Sequence, residues 1–178
     1  FEDAALAEPL ACVMHAIRRV QVSDGDRVVV VGAGPIGLMF ISVLRNRYGQ
    51  AIRLLSLDHH DDRLVLARSF GADEALNTAG GPLMAGVREA FGAEGADVVI
   101  EAVGSTQAHQ EAFELVGRGG TLVPFGGVAE GAILSLDLHR LHYKEIRIVP
   151  IYHHTPDDFA SAVHAIVRRE VPVARLIT

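Results

Sequence analysis

The chain has 178 residues, 49% of them hydrophobic and 21% charged, which is enough for one sizeable core. A formal net charge of −6, with no block of basic residues, argues against nucleic acid as a partner. The single cysteine, Cys12, excludes an internal disulfide framework and suits a reducing, cytoplasmic setting.

The opening "FEDAALAEPL" lacks an initial Met and reads as mid-protein sequence, so a longer parent protein is expected. Residues 4–20 carry Leu6, Leu10, Val13, Met14 and Ile17 at three- and four-residue spacing, which predicts a helix. "SDGD" (23–26) is a turn. Residues 27–31 read as a strand, 35–47 as a helix, and "AIRLLSLD" as a second strand ending at Asp58. "DDRLVLARSF" places acids in the first turn of a helix that Gly71 stops. A short third strand is expected over 73–77 and a helix over 82–91. A fourth strand follows over 96–102, a helix over 105–117 and a fifth strand over 119–126. "EIRIVPIY" (145–152) reads as a sixth strand, with Pro150 restricting it to an edge or a bulge. Thr155 and Pro156 open a last helix over 155–169. Strands alternating with helices imply an α/β fold: a doubly wound parallel six-stranded sheet of the Rossmann type, order 3-2-1-4-5-6.

Val28 to Leu44 holds 17 residues without a charge, and it could be mistaken for a membrane span. Its β-branched start and the interruption at Gly32, Gly34 and Pro35 instead give strand, turn and buried helix. No membrane association is expected. The turn Gly32-Ala33-Gly34-Pro35-Ile36-Gly37 is GxGxxG, a weak motif alone but here correctly placed between strand and helix. Gly32 permits the tight turn, Gly34 lets the backbone approach a pyrophosphate, and Gly37 lets helix and strand pack closely. Pro35 has no N–H, so amides beside it, on Ile36 and Gly37, must meet the anion. A packing turn without a ligand is the bland alternative.

Asp58 stands 21 residues after Gly37, where a carboxylate can accept both ribose hydroxyls and repel a 2′-phosphate. NAD is therefore the expected cofactor, with an N-cap for the next helix as the alternative role. Arg63 could lie over the same ribose or be a solvated helix residue. His59 and His60 are expected at the surface beside an adenine pocket. Cys12, on an apolar helix face, is expected in the core.

"EPLACVMHA", "GDRVVVVGAGPIG", "LDHHDDRLVLARSFGAD", "GADVVIEAVGS" and "GRGGTLVPFGG" resemble, in order and spacing, the cofactor domain of zinc-dependent medium-chain dehydrogenases, and the polyol (sorbitol) dehydrogenase branch fits best. The resemblance covers the whole chain. It implies one NAD-binding domain over 1–178, with 1–22 as a linking helix, and a separate catalytic domain. That second domain would carry the Cys and His–Glu zinc ligands and often a Cys-rich structural zinc site, which this chain lacks; no activity is expected of the chain by itself. The resemblance also implies that Glu8, of "EPLA", binds the catalytic zinc or its water. From the residues alone it is a first-turn acid on a helix. Ala102, Val103 and Gly104 would wall the cofactor, Phe125 would lie against the nicotinamide, and Ile151 to His153 would hold the carboxamide. Pro150, where Gly is usual, and the pair His153-His154 depart from the family pattern. His153 is expected as a surface loop histidine, with a place facing the substrate as the alternative.

The parent activity so implied is hydride transfer between NAD and a small alcohol or polyol, with zinc polarising the substrate oxygen. The competing reading is a non-catalytic dinucleotide-sensing module, which would need neither Glu8 nor a nicotinamide half-site. A short-chain dehydrogenase is excluded: positions four after Tyr48, Tyr143 and Tyr152 are Ile52, Arg147 and Pro156, so no Tyr-x-x-x-Lys pair exists. A methyltransferase would share the glycines and Asp58 but not the ordered motif set. The apolar sixth strand suggests a homodimer or homotetramer joined edge to edge through residues 145–152.

Overall fold

The computed structural model describes residues 3–81, 83–92 and 95–176. Six strands form one sheet, β1 (Arg27–Val31), β2 (Arg53–Asp58), β3 (Glu74–Asn77), β4 (Ala96–Glu101), β5 (Val116–Pro124) and β6 (Arg147–Ile148). Their order is β3-β2-β1-β4-β5-β6 and every pairing is parallel, as the alternating pattern predicts. The helices are α1 (Ala7–Arg19), α2 (Pro35–Tyr48), α3 (Asp61–Phe70), α4 (Leu83–Phe91), α5 (Thr106–Leu115), α6 (Leu138–Tyr143) and α7 (Pro156–Val167). Position 82, expected to open α4, lies outside the described residues, as do the ends of the expected 1–178 domain.

Period-two alternation divides the core. Val28 and Val30 face a layer built by α1, α2, α3 and α7. Val29 and Val31 face Leu83 and Val87 of α4 and Phe113 of α5 on the other side. With both faces covered, β1 is an unbroken apolar run, and that explains why it mimics a membrane segment. Among the described residues no helix is long and apolar enough to cross a membrane.

The segment after α4 departs from expectation in three places. Helix α5 ends at Leu115, not at 117, because Val116 turns extended and pairs with Ala96 before a register shift in the β4–β5 ladder. Helix α6 was not foreseen; it is short, begins at an Asp137 cap, and is held by Arg140 to the carbonyls of Glu114 and Val116. The sixth strand is two residues long, not 145–152. Glu145 takes a positive φ of 53° before it, and Pro150 follows it without an N–H to donate. Ile146 is buried, while Val149 and Ile151 pack on the core, so much of the apolar edge is covered by the chain itself.

Candidate functional site

The carboxyl ends of β1, β2 and β4 open onto a cleft of about 380 Å³, at the point where strand order reverses. Gly32, Gly34, Asp58, Arg63, Ala102 and Val103 all line it. Gly32 has φ +97°, and a Cβ there would meet Val103 and the Ala102 carbonyl. At Gly37 a Cβ would stand 1.8 Å from the Gly32 oxygen, so this glycine serves packing, as read from the motif. At Gly34 a Cβ would meet nothing within 4 Å, although the residue lines the cleft. Gly34 is also the N-cap of α2 and has no side chain to cap it. The first-turn amides of Ile36 and Gly37 thus have no intrahelical acceptor, which suits an anion at the helix dipole.

Asp58 is almost fully buried at the end of β2. Its Oδ2 accepts the Ala33 amide at 2.7 Å, which ties the glycine turn to the second strand. Its Oδ1 accepts the His60 amide at 2.9 Å and faces His60 Nδ1 at 3.0 Å. Arg63 is 3.9 Å from Oδ2. Burial works to raise the carboxyl pKa, but these bonds and the Arg63 charge outweigh it, so Asp58 is held below the usual carboxylate range. The helix that follows is capped at His60, without a side-chain bond, so Asp58 is not its N-cap. His59 and His60 both border the cleft, where the sequence placed them.

Glu101, at the end of β4, is a site residue that the sequence reading passed over. It is fully buried, and its Oε1 accepts the amides of Val103 and Gly104, each at 2.8 Å. Its backbone carbonyl accepts from Phe125 and Gly126. One residue therefore sets both the 102–104 loop beside the cleft and the chain that leaves β5. His109 Nε2 lies 3.1 Å from Glu101 Oε2 but outside hydrogen-bond alignment, while its Nδ1 donates to the Ser105 carbonyl at 2.8 Å. A charged residue closing the buried run "DVVI" is the signal that could have found it.

A second cleft, of about 240 Å³, lies beyond the glycine turn and is lined by Glu8, Cys12, Ile36, Phe125, Ile151 and His153, with Pro9 and Tyr152. Phe125 packs edge-on against Phe40 at 4.8 Å, which fixes its ring. Glu8 and Cys12 are one turn apart on α1, and the Cys12 thiol donates to Glu8 Oε1 at 3.4 Å. Burial, and then Glu8, push the thiol up to about 11. Cys12 is thus a half-buried cleft residue and not part of the core. His153 is exposed, as expected for a loop histidine, yet its Nδ1 lies 3.9 Å from Glu8 Oε1 and its φ is 59°. Gly104 stands outside both clefts, against Gly126 and Gly127.

A parallel sheet with a glycine turn and a carboxylate at its switch point defines a dinucleotide-binding domain. The zinc-binding dehydrogenase family profile matches residues 35–168, and the chain belongs to that family. It is 33% identical over 176 residues to a sorbitol dehydrogenase of Halalkalibacterium halodurans, covering 99% of this chain and 51% of that protein. It is 31% identical over 184 residues to a D-xylulose reductase of Saccharomyces cerevisiae, covering 100% of this chain and 50% of that protein. Among solved structures, alcohol dehydrogenase TADH from Thermus sp. ATN1 superposes with a TM-score of 0.86 at 27% identity, over 99% of this chain and 50% of that one. The chain spans about half the length of the curated relatives it matches. Its fold and cleft are those of the family's NAD(P)-binding domain.

Proposed function

We propose that the chain is the cofactor-holding half of an NAD-dependent alcohol or polyol dehydrogenase of the zinc type. The observation that carries the reading is Asp58, an ionised, buried carboxylate fixed to the glycine turn at the mouth of the larger cleft. Asp58 accepts the adenosine ribose hydroxyls and repels a 2′-phosphate, with Arg63 and His60 over the same sugar. The amides of Ile36 and Gly37 receive the pyrophosphate beside Gly32, Gly34 and Pro35. Ala102 and Val103 wall the middle of the groove, with Gly104 behind them against Gly126 and Gly127. Phe125 bears on the nicotinamide, and the backbone of Ile151 to His153 orients its carboxamide. Glu8 would help hold the zinc, whose remaining ligands would come from the other half of the protein. When bound, the nicotinamide supplies hydride exchange with the carbinol carbon and the zinc polarises the substrate oxygen.

Calorimetric titration of the chain with NADH and NADPH tests this reading. Tighter binding of NADH is expected, and equal affinities would defeat the assignment. The free thiol of Cys12 supports a cytoplasmic setting. A homodimer or homotetramer is supported not by the covered 145–152 edge but by the exposed Val128, Ile133, Leu138 and Tyr143 of the connection between β5 and β6. Light scattering over a concentration series checks it.

A further inference from the structure

We propose that His109 is a positioning residue for the cofactor wall, held as an imidazolium against the buried Glu101 carboxylate. The proposal rests on the reading above in taking the larger cleft as the cofactor's.

Both ring nitrogens of His109 face oxygen atoms. Nδ1 lies 2.8 Å from the Ser105 carbonyl and Nε2 lies 3.1 Å from Glu101 Oε2. A carbonyl and a carboxylate can only accept, and a neutral imidazole has a single N–H. A neutral ring would therefore set one nitrogen lone pair against an oxygen. Solvent cannot relieve that contact, because the Glu101 side chain is fully buried and the His109 ring is 10% exposed. Gly126 closes another side, where a Cβ would already stand 2.6 Å from Glu101 Oε2. The pair thus holds one proton more than a carboxylate and a neutral imidazole. Glu101 Oε1 accepts the amides of Val103 and Gly104, and such bonds favour the ionised carboxylate, so the extra proton rests on the ring. His109 lies in the first turn of α5, where the helix dipole opposes a cation. A full carboxylate charge 3.1 Å away outweighs that partial charge. Among the described residues no other charged side chain from α4, β1, β5 or the chain after β5 pairs with Glu101 or His109.

The ring braces the loop between β4 and α5 from both ends. Through Nδ1 it holds Ser105, and through Nε2 it holds the carboxylate that fixes Val103 and Gly104. Ala102, Val103 and Ser105 of this loop line the larger cleft. Breaking a buried ion pair by removing one partner leaves a bare charge, which is far more costly than never having built the pair. Loss of the imidazolium is therefore felt at the wall, although His109 itself does not line the cleft.

The test uses the ¹⁵N-labelled 178-residue chain at neutral pH. Long-range proton–nitrogen spectra identify the His109 ring as the signal missing from His109→Leu. The expected result is a ring protonated on both nitrogens, and on one nitrogen in Glu101→Gln. A neutral His109 ring in the unaltered chain would overturn the proposal. His109→Leu should weaken NADH binding at least about 10-fold and speed amide exchange at Val103 and Gly104. Adding Glu101→Gln should recover about 3-fold or more of that loss, because it removes the bare charge. Packing alone predicts no recovery, so additive losses, or unchanged exchange in His109→Leu, also count against the brace. Far-ultraviolet circular dichroism confirms that each variant is folded; if His109→Leu is not, the ring spectra of the unaltered chain and Glu101→Gln decide. NADH binding is scored apart. A charged ring with faster exchange in His109→Leu, in a chain that does not bind NADH, fails the dehydrogenase reading and leaves the brace standing. NADH binding with a neutral ring does the opposite.

Discussion

At the Asp58 end of the groove the chain provides acceptors and donors for itself, whereas at the Glu8 end the polar groups are exposed and loosely spaced. Asp58 is fixed by two backbone amides, one on the glycine turn and one two residues downstream. Glu8 meets a thiol at 3.4 Å and imidazoles at 3.9 and 4.0 Å, with over half its side chain in solvent. The first end is preorganised for a ligand of fixed shape, which lowers the cost of ordering it on binding. The second leaves its polar groups room to move. The hold on polar groups thus loosens from the Asp58 cleft to the Glu8 cleft.

The comparison breaks first at the glycine turn. Gly37→Val should destabilise the fold by about 3 kcal/mol or more, because the Gly32 oxygen in its way is backbone. The melting temperature should fall by roughly 6–12 °C. Gly34→Val should leave melting almost unchanged and abolish NADH binding, since its side chain would enter only the cleft. If both variants melt alike, the division between packing glycine and binding glycine is wrong.

Glu101→Ala removes the acceptor of two loop amides and should cost about 2–3 kcal/mol by chemical denaturation, with weaker NADH binding. A variant that binds NADH normally would show that the 102–104 wall needs no such anchor.

Asp58→Ala should weaken NADH about 10- to 100-fold, the equivalent of ~1.5–3 kcal/mol for a charged hydrogen bond, and narrow the gap to NADPH. Retention of the preference in calorimetry would move the ribose contact elsewhere, with Arg63 and His60 next to be tested.

The smallest effect concerns Asp158, which clasps α7 to α1 beneath the Glu8 end. Burial opposes ionisation of Asp158, but the bonds from Thr155, His15 and Arg18 prevail and hold its pKa below the usual range. A carboxyl with a lowered folded-state pKa contributes stability above its unfolded value, near 3.9, and loses it as pH falls through the folded value. Asp158→Asn should therefore cost about 1–2 kcal/mol at pH 7 and progressively less in acid. A pH-independent difference in denaturation midpoint would remove ionisation from the account.

The strand–turn–helix at 27–48, the position of Asp58 and the strand order could all be read from the sequence, because each follows from local periodicity and the handedness of crossovers. Local patterns carried less where two tendencies competed. Val116 left its helix for a strand because a sheet partner was available, and Pro150 confined β6 to two residues. The Glu8 end was legible only in part. Helical spacing placed Glu8 and Cys12 on one face, but nothing local brought His153 to them. Nor could an apolar helix stripe show that Cys12 faces a cleft and not the core. Those facts depend on how α7 docks on α1, a long-range contact set by a buried carboxylate and its three partners, and only the tertiary structure decides it.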